Sequence, residues 1–322
     1  MGRPRFGAIA PQNVNPLLEQ HIEIFLTAKA SAKSYKTYYF YLTGLYRYRD
    51  FAPALWPPTP ESIEAYLFSL KERGLKESSI RAYYKAVKIW CTWLVKRGKL
   101  ASNPFDQVER PAAPKLLPRV PKEPALRRFF DYLRASAHMG DWLNVRALAL
   151  WSLAFDTGLR VSELAALTVA DVPDDGRAAL VRGGKTHTDR MVFFSPDVAV
   201  ALSRWIRIRA TLPLPPGLDA LFVSLHRSSK LPSKWRGFTT WGMRQDLKAH
   251  CCKADVPHLQ PHSLRHGYAV FALRNGSNIS DIQRQLGHTN IATTSRYLMC
   301  DDTGRSERHD AHSPFANLGG TL

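Results

Sequence analysis

Apolar residues in "SSIRAYYKAVKIWCTWLVKR" recur at Ile80, Tyr84, Val87, Cys91 and Leu94, a 4-3-4-3 spacing that draws one stripe along a helix. The stripe predicts a helix over 79–97, with Arg81, Lys85 and Lys88 on the neighbouring face. Weaker stripes predict helices over 16–28, 32–49 and 60–73, the second of them strongly aromatic ("SYKTYYFYLTGLYRY"). The Pro-rich break "APALWPPTP" separates the second from the third. There Thr59 stands where an N-cap belongs, and Pro60 where a first helical turn tolerates a residue without an N–H. The four helices run into "RPAAPKLLPRVPKEP" (110–124), which has too many prolines for a helix or a central strand and reads as an extended, semi-rigid linker.

Beyond the linker the pattern predicts helices over 123–137, 141–156 and 160–167. Two β-rich runs, "RAALVRG" and "RMVFFS", flank Gly183-Gly184 and the polar "KTHTD", the signature of a hairpin or a small sheet edge. Helices over 196–210 and 239–252 follow, with one short strand, "ALFVS", between them. Three short helices, 262–275, 279–286 and 291–299, close the pattern before a polar tail that ends in "FANLGGTL". The expected architecture is mostly α: a helical N-terminal domain, then an α+β domain with a small antiparallel sheet. The expected division is a flexible basic tail (1–12), a helical domain (13–108), a linker (109–124) and a second domain with its C-terminal tail (125–322).

Charge changes the picture. Lys and Arg number 45 against 27 acids, a net +18 over 322 residues. That excess calls for a polyanionic partner, and no basic amphipathic anchor beside a lipidation site directs it to a membrane, so nucleic acid leads. Between Arg81 and Lys122 ten basic residues face only Asp106 and Glu109, the balance a phosphate-tracking surface requires. No apolar run approaches the roughly 20 residues of a bilayer span. "MGRPRFGAIA" has no signal-peptide core, and Phe6 spoils a myristoylation pattern, so the expected location is cytoplasmic. Cys91, Cys251, Cys252 and Cys300 are too few and too clumped for a disulfide framework.

Several side chains are of the kinds that handle a phosphodiester. "DTGLRVSELAAL" ends one helix at Gly158 and begins another with Arg160, held at the turn by packed neighbours, with Glu163 three residues on. "QPHSLRHGYAV" puts His262, Arg265 and His266 on one face of a helix start. Lys185 stands at the hairpin tip, and "LGHTNIATTSRYLM" supplies His288 and Tyr297. A metal reading of His250, Cys251, Cys252, His258, His262 and His266 fails on pattern. Ser263 stands where a zinc-protease helix needs Glu, and there is no CxxC pair, so no metal is expected.

The ordered set "TGLRVSEL", a hairpin lysine, "HSLRHG" and "LGHTNIATTSRYL" resembles the tyrosine recombinase (phage integrase) family, in its simple Xer/Cre-like two-domain form. The resemblance covers most of the chain and implies a SAM-like core-binding domain ahead of a catalytic domain. By it, Tyr297 is the nucleophile, Arg160, Lys185, His262, Arg265 and His288 are its partners, and Glu163 is a supporting acid. The role of His266 is left open. One departure is Thr186, where relatives often carry glycine, a difference that bears on the reach of Lys185. With no segment of the arm-binding kind read before Pro16, the expectation is a simple recombinase rather than one using distant accessory sites.

The residue types suit the chemistry. A phosphorus becoming five-coordinate gathers negative charge, and two guanidinium forks meet it without a metal. A phenol of pKa about 10 needs a base, and His262 is expected to be either that base or a hydrogen-bond donor to the phosphate; the departing 5′ oxygen needs a proton, for which Lys185 is the expectation. His288 is expected to donate to a non-bridging oxygen. The product is a 3′-phosphotyrosine, with no cofactor required. The resemblance further implies duplex DNA with inverted half-sites, a homotetramer on that DNA, and accessory or directionality proteins as further partners; separately, the apolar patch "PFANLGG" in an otherwise polar end motivates the expectation that the tail docks on a neighbouring subunit. Two other readings stand beside it: a type IB topoisomerase or hairpin-forming resolvase, and a catalytically silent DNA-binding protein on the same scaffold. A silent protein has no chemical need for both arginines and the tyrosine.

Overall fold

The computed structural model describes residues 13–32, 35–112, 119–173, 177–183, 189–226, 234–288, 294–295 and 297. The basic tail 1–12, the centre of the linker, Lys185 and Thr186, most of the helix expected over 291–299, and the C-terminal tail lie outside the described residues. The chain forms two compact units, Met1–Leu116 and Leu117–Leu322.

The first unit holds four helices: α1 (Pro16–Ala32), α2 (Tyr35–Phe51), α3 (Pro60–Glu72) and α4 (Glu77–Lys96). The α3 start follows its sequence: the Thr59 hydroxyl accepts from the Ser62 N–H at 3.2 Å, and Thr59 N–H donates back to the Ser62 hydroxyl at 3.0 Å. On α4 the whole predicted stripe is buried, and it meets Leu18, Ile22, Leu45, Tyr48 and Ile63 from the other three helices. Lys85 is exposed, whereas Arg81 and Lys88 are half-buried, with the Lys88 ammonium 5.8 Å from the centre of the Tyr84 ring. A short turn, Pro104–Asp106, brings Phe105 edge-on to Tyr84 at 4.9 Å and closes the core.

The second unit is built around α6 (Trp142–Thr157), whose buried residues run nearly all round it, as a central helix requires. Against α6 pack α5 (Glu123–His138), α8 (Pro196–Thr211) and α10 (Pro261–Arg274). The short α7 (Val161–Ala166), α9 (Thr240–Lys253) and α11 (Ile279–Leu286) complete the helices. The hairpin expected at "RAALVRG" and "RMVFFS" is β1 (Ala178–Val181) with β2 (Arg190–Phe193), antiparallel, Ala179 opposite Val192. A second hairpin pairs β3 (Val223–His226) with β4 (Lys234–Gly237), so the single strand expected there is one half of a pair. "KWRG" carries no apolar alternation because β4 is exposed or half-exposed along its length, and the backbone ladder alone defines it.

A buried ion pair locks α6 to α9. Arg146 donates to Asp246 at 2.6 Å and to the Val223 carbonyl at 2.9 Å, and Trp151 donates to the other Asp246 oxygen at 2.8 Å. The Arg146 guanidinium also lies 4.0 Å from the centre of the Phe238 ring. With both charges out of water, neither tolerates loss of its partner.

Candidate active site

Helix α6 ends at Gly158, whose φ of +63° is the left-handed conformation that favours glycine. A Cβ there would meet Leu286 at 2.6 Å and Tyr268 at 2.7 Å, so glycine also permits the close approach of α10 and α11 to this turn. The turn sets Arg160 at the N-cap of α7. Its backbone N–H donates to Glu163 Oε2 at 2.8 Å and its guanidinium to Glu163 Oε1 at 2.9 Å. The backbone is thus held as expected, while the side chain remains 44% exposed. Arg160 is tethered at one end and presents the rest of its fork outward.

Glu163 is a hub. Besides Arg160 it accepts two hydrogen bonds from Arg190 of β2, both at 3.1 Å, and its Oε2 lies 4.0 Å from Arg265 Nη1. Burial by itself would raise its pKa, but the bonds from Arg190 and Arg160 win and hold the carboxyl below the usual carboxylate range. Arg190 also donates to the Gln285 carbonyl at 3.1 Å. The Gln285 side chain in turn exchanges two hydrogen bonds with the Phe193 backbone, at 3.1 and 2.6 Å. Together they staple β2 to α11.

Arg265 is almost fully buried on α10. It donates to the Gly158 carbonyl and to the Leu286 carbonyl, each at 2.7 Å, tying the α6–α7 turn to the end of α11. Burial, and then the charge of Arg160, push its pKa down to about 10, which leaves it cationic at neutral pH. The same guanidinium donates to His288 Nε2 at 2.9 Å. Arginine is only a donor, so Nε2 accepts, and the ring proton sits on Nδ1, 2.9 Å from the Thr294 hydroxyl. Burial, followed by the charges of Arg265, Arg160 and Arg190, lowers the His288 pKa to about 4, so the ring is neutral at physiological pH. Both of its nitrogens are engaged by protein partners, and the donation to phosphate expected of it requires one of them to exchange.

Tyr297 is buried among α10 and α11 residues that include Val270, Ile282 and Leu286. Its hydroxyl is 2.9 Å from His266 Nδ1, the ring centres being 5.5 Å apart. His262, a candidate base from the sequence, lies one ring further away: its edge meets His266, with centres 4.3 Å apart at 65°. Burial, with Arg265 and Arg160 nearby, lowers the His262 pKa.

The structure therefore gathers Arg160, Glu163, His262, Arg265, His288 and Tyr297 at one locality. Lys185 lies outside the described residues, between Gly183, whose N–H donates to Asp189 at 2.6 Å, and β2. Arg81, Lys85 and Lys88 belong to the first unit. Sequence reasoning missed Arg190 and gave His266 no task. The partner of Glu163 lies 27 positions away across a hairpin, and no periodicity announces it. Among the described residues no three His, Cys, Asp or Glu side chains come together as a metal ion requires.

A model of the phage integrase family matches residues 125–303. The tyrosine recombinase XerC of Haemophilus influenzae is 31% identical over 260 residues, 80% of this chain and 82% of that protein. The chain belongs to the phage integrase family. As a member of the phage integrase family, a group of tyrosine recombinases, it is an enzyme of DNA strand cleavage and rejoining. Two solved structures share its fold. The XerH site-specific recombinase, bound to a palindromic difH substrate in a post-cleavage complex, has a TM-score of 0.70 at 18% identity, covering 93% of this chain and 85% of that one. The Tn1549 transposon integrase in complex with transposon right end DNA has a TM-score of 0.71 at 20% identity, covering 94% of this chain and 99% of that one.

Proposed function

We propose that this phage integrase-family chain is a site-specific recombinase in which Tyr297 attacks a backbone phosphorus held by Arg160 and Arg265. The reading is carried by one observation: the phenol hydroxyl is bonded to the residue that follows Arg265, while Arg265 and Arg160 share Glu163 as a neighbour. In the step, the bond from Tyr297 Oη to phosphorus forms and the bond to the 5′ oxygen breaks. The phenol proton leaves to a histidine, and Lys185 supplies the proton that the 5′ oxygen takes. The arginines meet the charge that accumulates on the non-bridging oxygens, where fixed donors contribute most. A 3′-phosphotyrosine stores the energy of the cut bond, and a 5′-hydroxyl from a second duplex reverses the step.

Recombination of two duplexes needs four such sites, so the working form is a homotetramer on inverted half-sites, acting in the cytoplasm with whatever accessory proteins set its direction. No helix of the described residues is long and apolar enough to cross a membrane, which fits that setting. The test is a nicked suicide substrate carrying the bound half-site. Wild-type protein is expected to accumulate a covalent protein–DNA adduct, and Tyr297→Phe to bind the same DNA with unchanged affinity and form none. An adduct of undiminished yield with Tyr297→Phe rules the assignment out.

A further inference from the structure

We infer that Arg190 is a positioning residue: it neutralises Glu163 so that the Arg160 guanidinium can leave that carboxylate for the scissile phosphate. The inference rests on the functional reading above and adds to it a residue that does not itself meet the phosphate. Three guanidiniums surround one carboxylate, and their geometry divides the work. Arg190 gives Glu163 a parallel fork, Nη1 to Oε1 and Nη2 to Oε2, both at 3.1 Å. Its Nε donates to the Gln285 carbonyl at 3.1 Å, so all of its side-chain nitrogens have protein acceptors. The Arg190 side chain is 17% exposed, against 44% for Arg160. Arg160 gives Glu163 a single side-chain bond, Nη1 to Oε1 at 2.9 Å. Arg265 stands 4.0 Å away, beyond a hydrogen bond. Arg190 is therefore the fixed partner of the carboxylate, and Arg160 the one that faces outward.

A phosphate oxygen that takes Arg160 Nη1 removes one bond from Glu163 and leaves the Arg190 pair and the Arg160 backbone N–H, at 2.8 Å, in place. Burial raises the Glu163 pKa, and the Arg190 bond is the largest of the influences that hold it down. A buried carboxylate is strongly destabilised once its last bonded cation goes. Without Arg190, Arg160 is that last cation, and Glu163 competes with the phosphate for it. Arg190 forms no covalent bond and moves no proton; it acts on the choice of anion that Arg160 serves. The effect is electrostatic and local, and it runs through one residue, Glu163, so it is separable from the hold that Arg190 has on α11 through the Gln285 carbonyl.

The experiment is a double-mutant cycle read as single-turnover adduct formation on the nicked suicide half-site, at saturating protein and well below the melting temperature of every variant. Arg190→Gln is expected to form adduct more slowly by on the order of 10²-fold, the scale of a lost anion-stabilising donor. Glu163→Gln removes the competing charge. The double variant, Arg190→Gln with Glu163→Gln, is therefore expected to be faster than Arg190→Gln alone by at least about tenfold. A residue that merely braced β2 against α11 would give the reverse, a double variant as slow as Arg190→Gln or slower. Arg190→Lys keeps the charge beside Glu163 and is expected to retain most of the wild-type rate. A double variant no faster than Arg190→Gln overturns the inference, as does Arg190→Gln within about threefold of wild type. Where Arg190→Gln fails to fold, Arg190→Lys decides, and a loss beyond about tenfold in it overturns the inference. Wild-type protein that forms no adduct overturns the functional reading and this one together, whereas adduct from wild type without rescue in the double variant overturns only this one.

Discussion

At the scale of single residues, the site is a set of charges arranged so that each determines the state of its neighbour. Glu163 remains a carboxylate because Arg190 and Arg160 bond to it, and His288 remains neutral because it is buried beside arginines. These shifts predict how stability depends on pH. Unfolded, His288 takes a proton near its ordinary value of 6.5, but folded it resists until about 4. Between those values the unfolded chain binds more protons than the native one, so stability falls as pH is lowered through that window. Glu163 acts in the same direction at lower pH: its contribution is present above the unfolded carboxylate pKa and is lost as pH falls through its depressed native value. Thermal melting of the wild type is expected to decline from pH 6.5 to 4, and His288→Gln to decline less steeply. Identical slopes for the two proteins would remove His288 from the explanation.

At the scale of elements, the site depends on three chain ends meeting. The α6–α7 turn, the start of α10 and the end of α11 converge because the buried Arg265 donates to carbonyls of the other two. Hairpin β1–β2, which carries Lys185 between its strands, is fastened to α11 by Arg190 and Gln285. Gly287 ends α11 with a φ of +64°, and a Cβ there would strike the Arg190 guanidinium at 2.8 Å, so the helix end and the staple require each other. The most exposed weakness is Gly158. Gly158→Ala forces a left-handed conformation on an L-residue, a cost of about 1–2 kcal/mol, and drives a methyl into Leu286 and Tyr268. Denaturant unfolding is expected to show a loss of at least that size. Adduct formation is expected to fall with it, because the Gly158 carbonyl holds Arg265. A variant as stable as wild type would show that the turn has room that its geometry denies.

For the whole molecule, the net charge of +18 is the governing quantity. Association with DNA releases counterions, so affinity is expected to fall linearly with log salt, with a slope near 0.9 per phosphate neutralised. Replacing Arg81, Lys85 and Lys88 together with Ala is expected to lower that slope by about 3 and to weaken binding to all sequences alike, while leaving the fold of the first unit intact. The buried stripe of α4 does not include these positions, so its core contacts are expected to survive the substitutions. An unchanged slope, measured by titration at several salt concentrations, would move the phosphate-tracking surface elsewhere.

The order of the described helices, the first hairpin, the α4 core stripe and membership of the phage integrase family were legible in the linear chain. Each of these is a local matter of period, caps and motif, or of total charge. The second hairpin was not, because β4 is defined by its ladder with β3 and not by its own side chains. Arg190 could not be singled out, because its meaning is a carboxylate 27 positions away. Nor could the chain decide between His262 and His266. Both stand on one face of one helix, and only the folded backbone, by placing Tyr297 against the second of them, determines which ring the phenol meets.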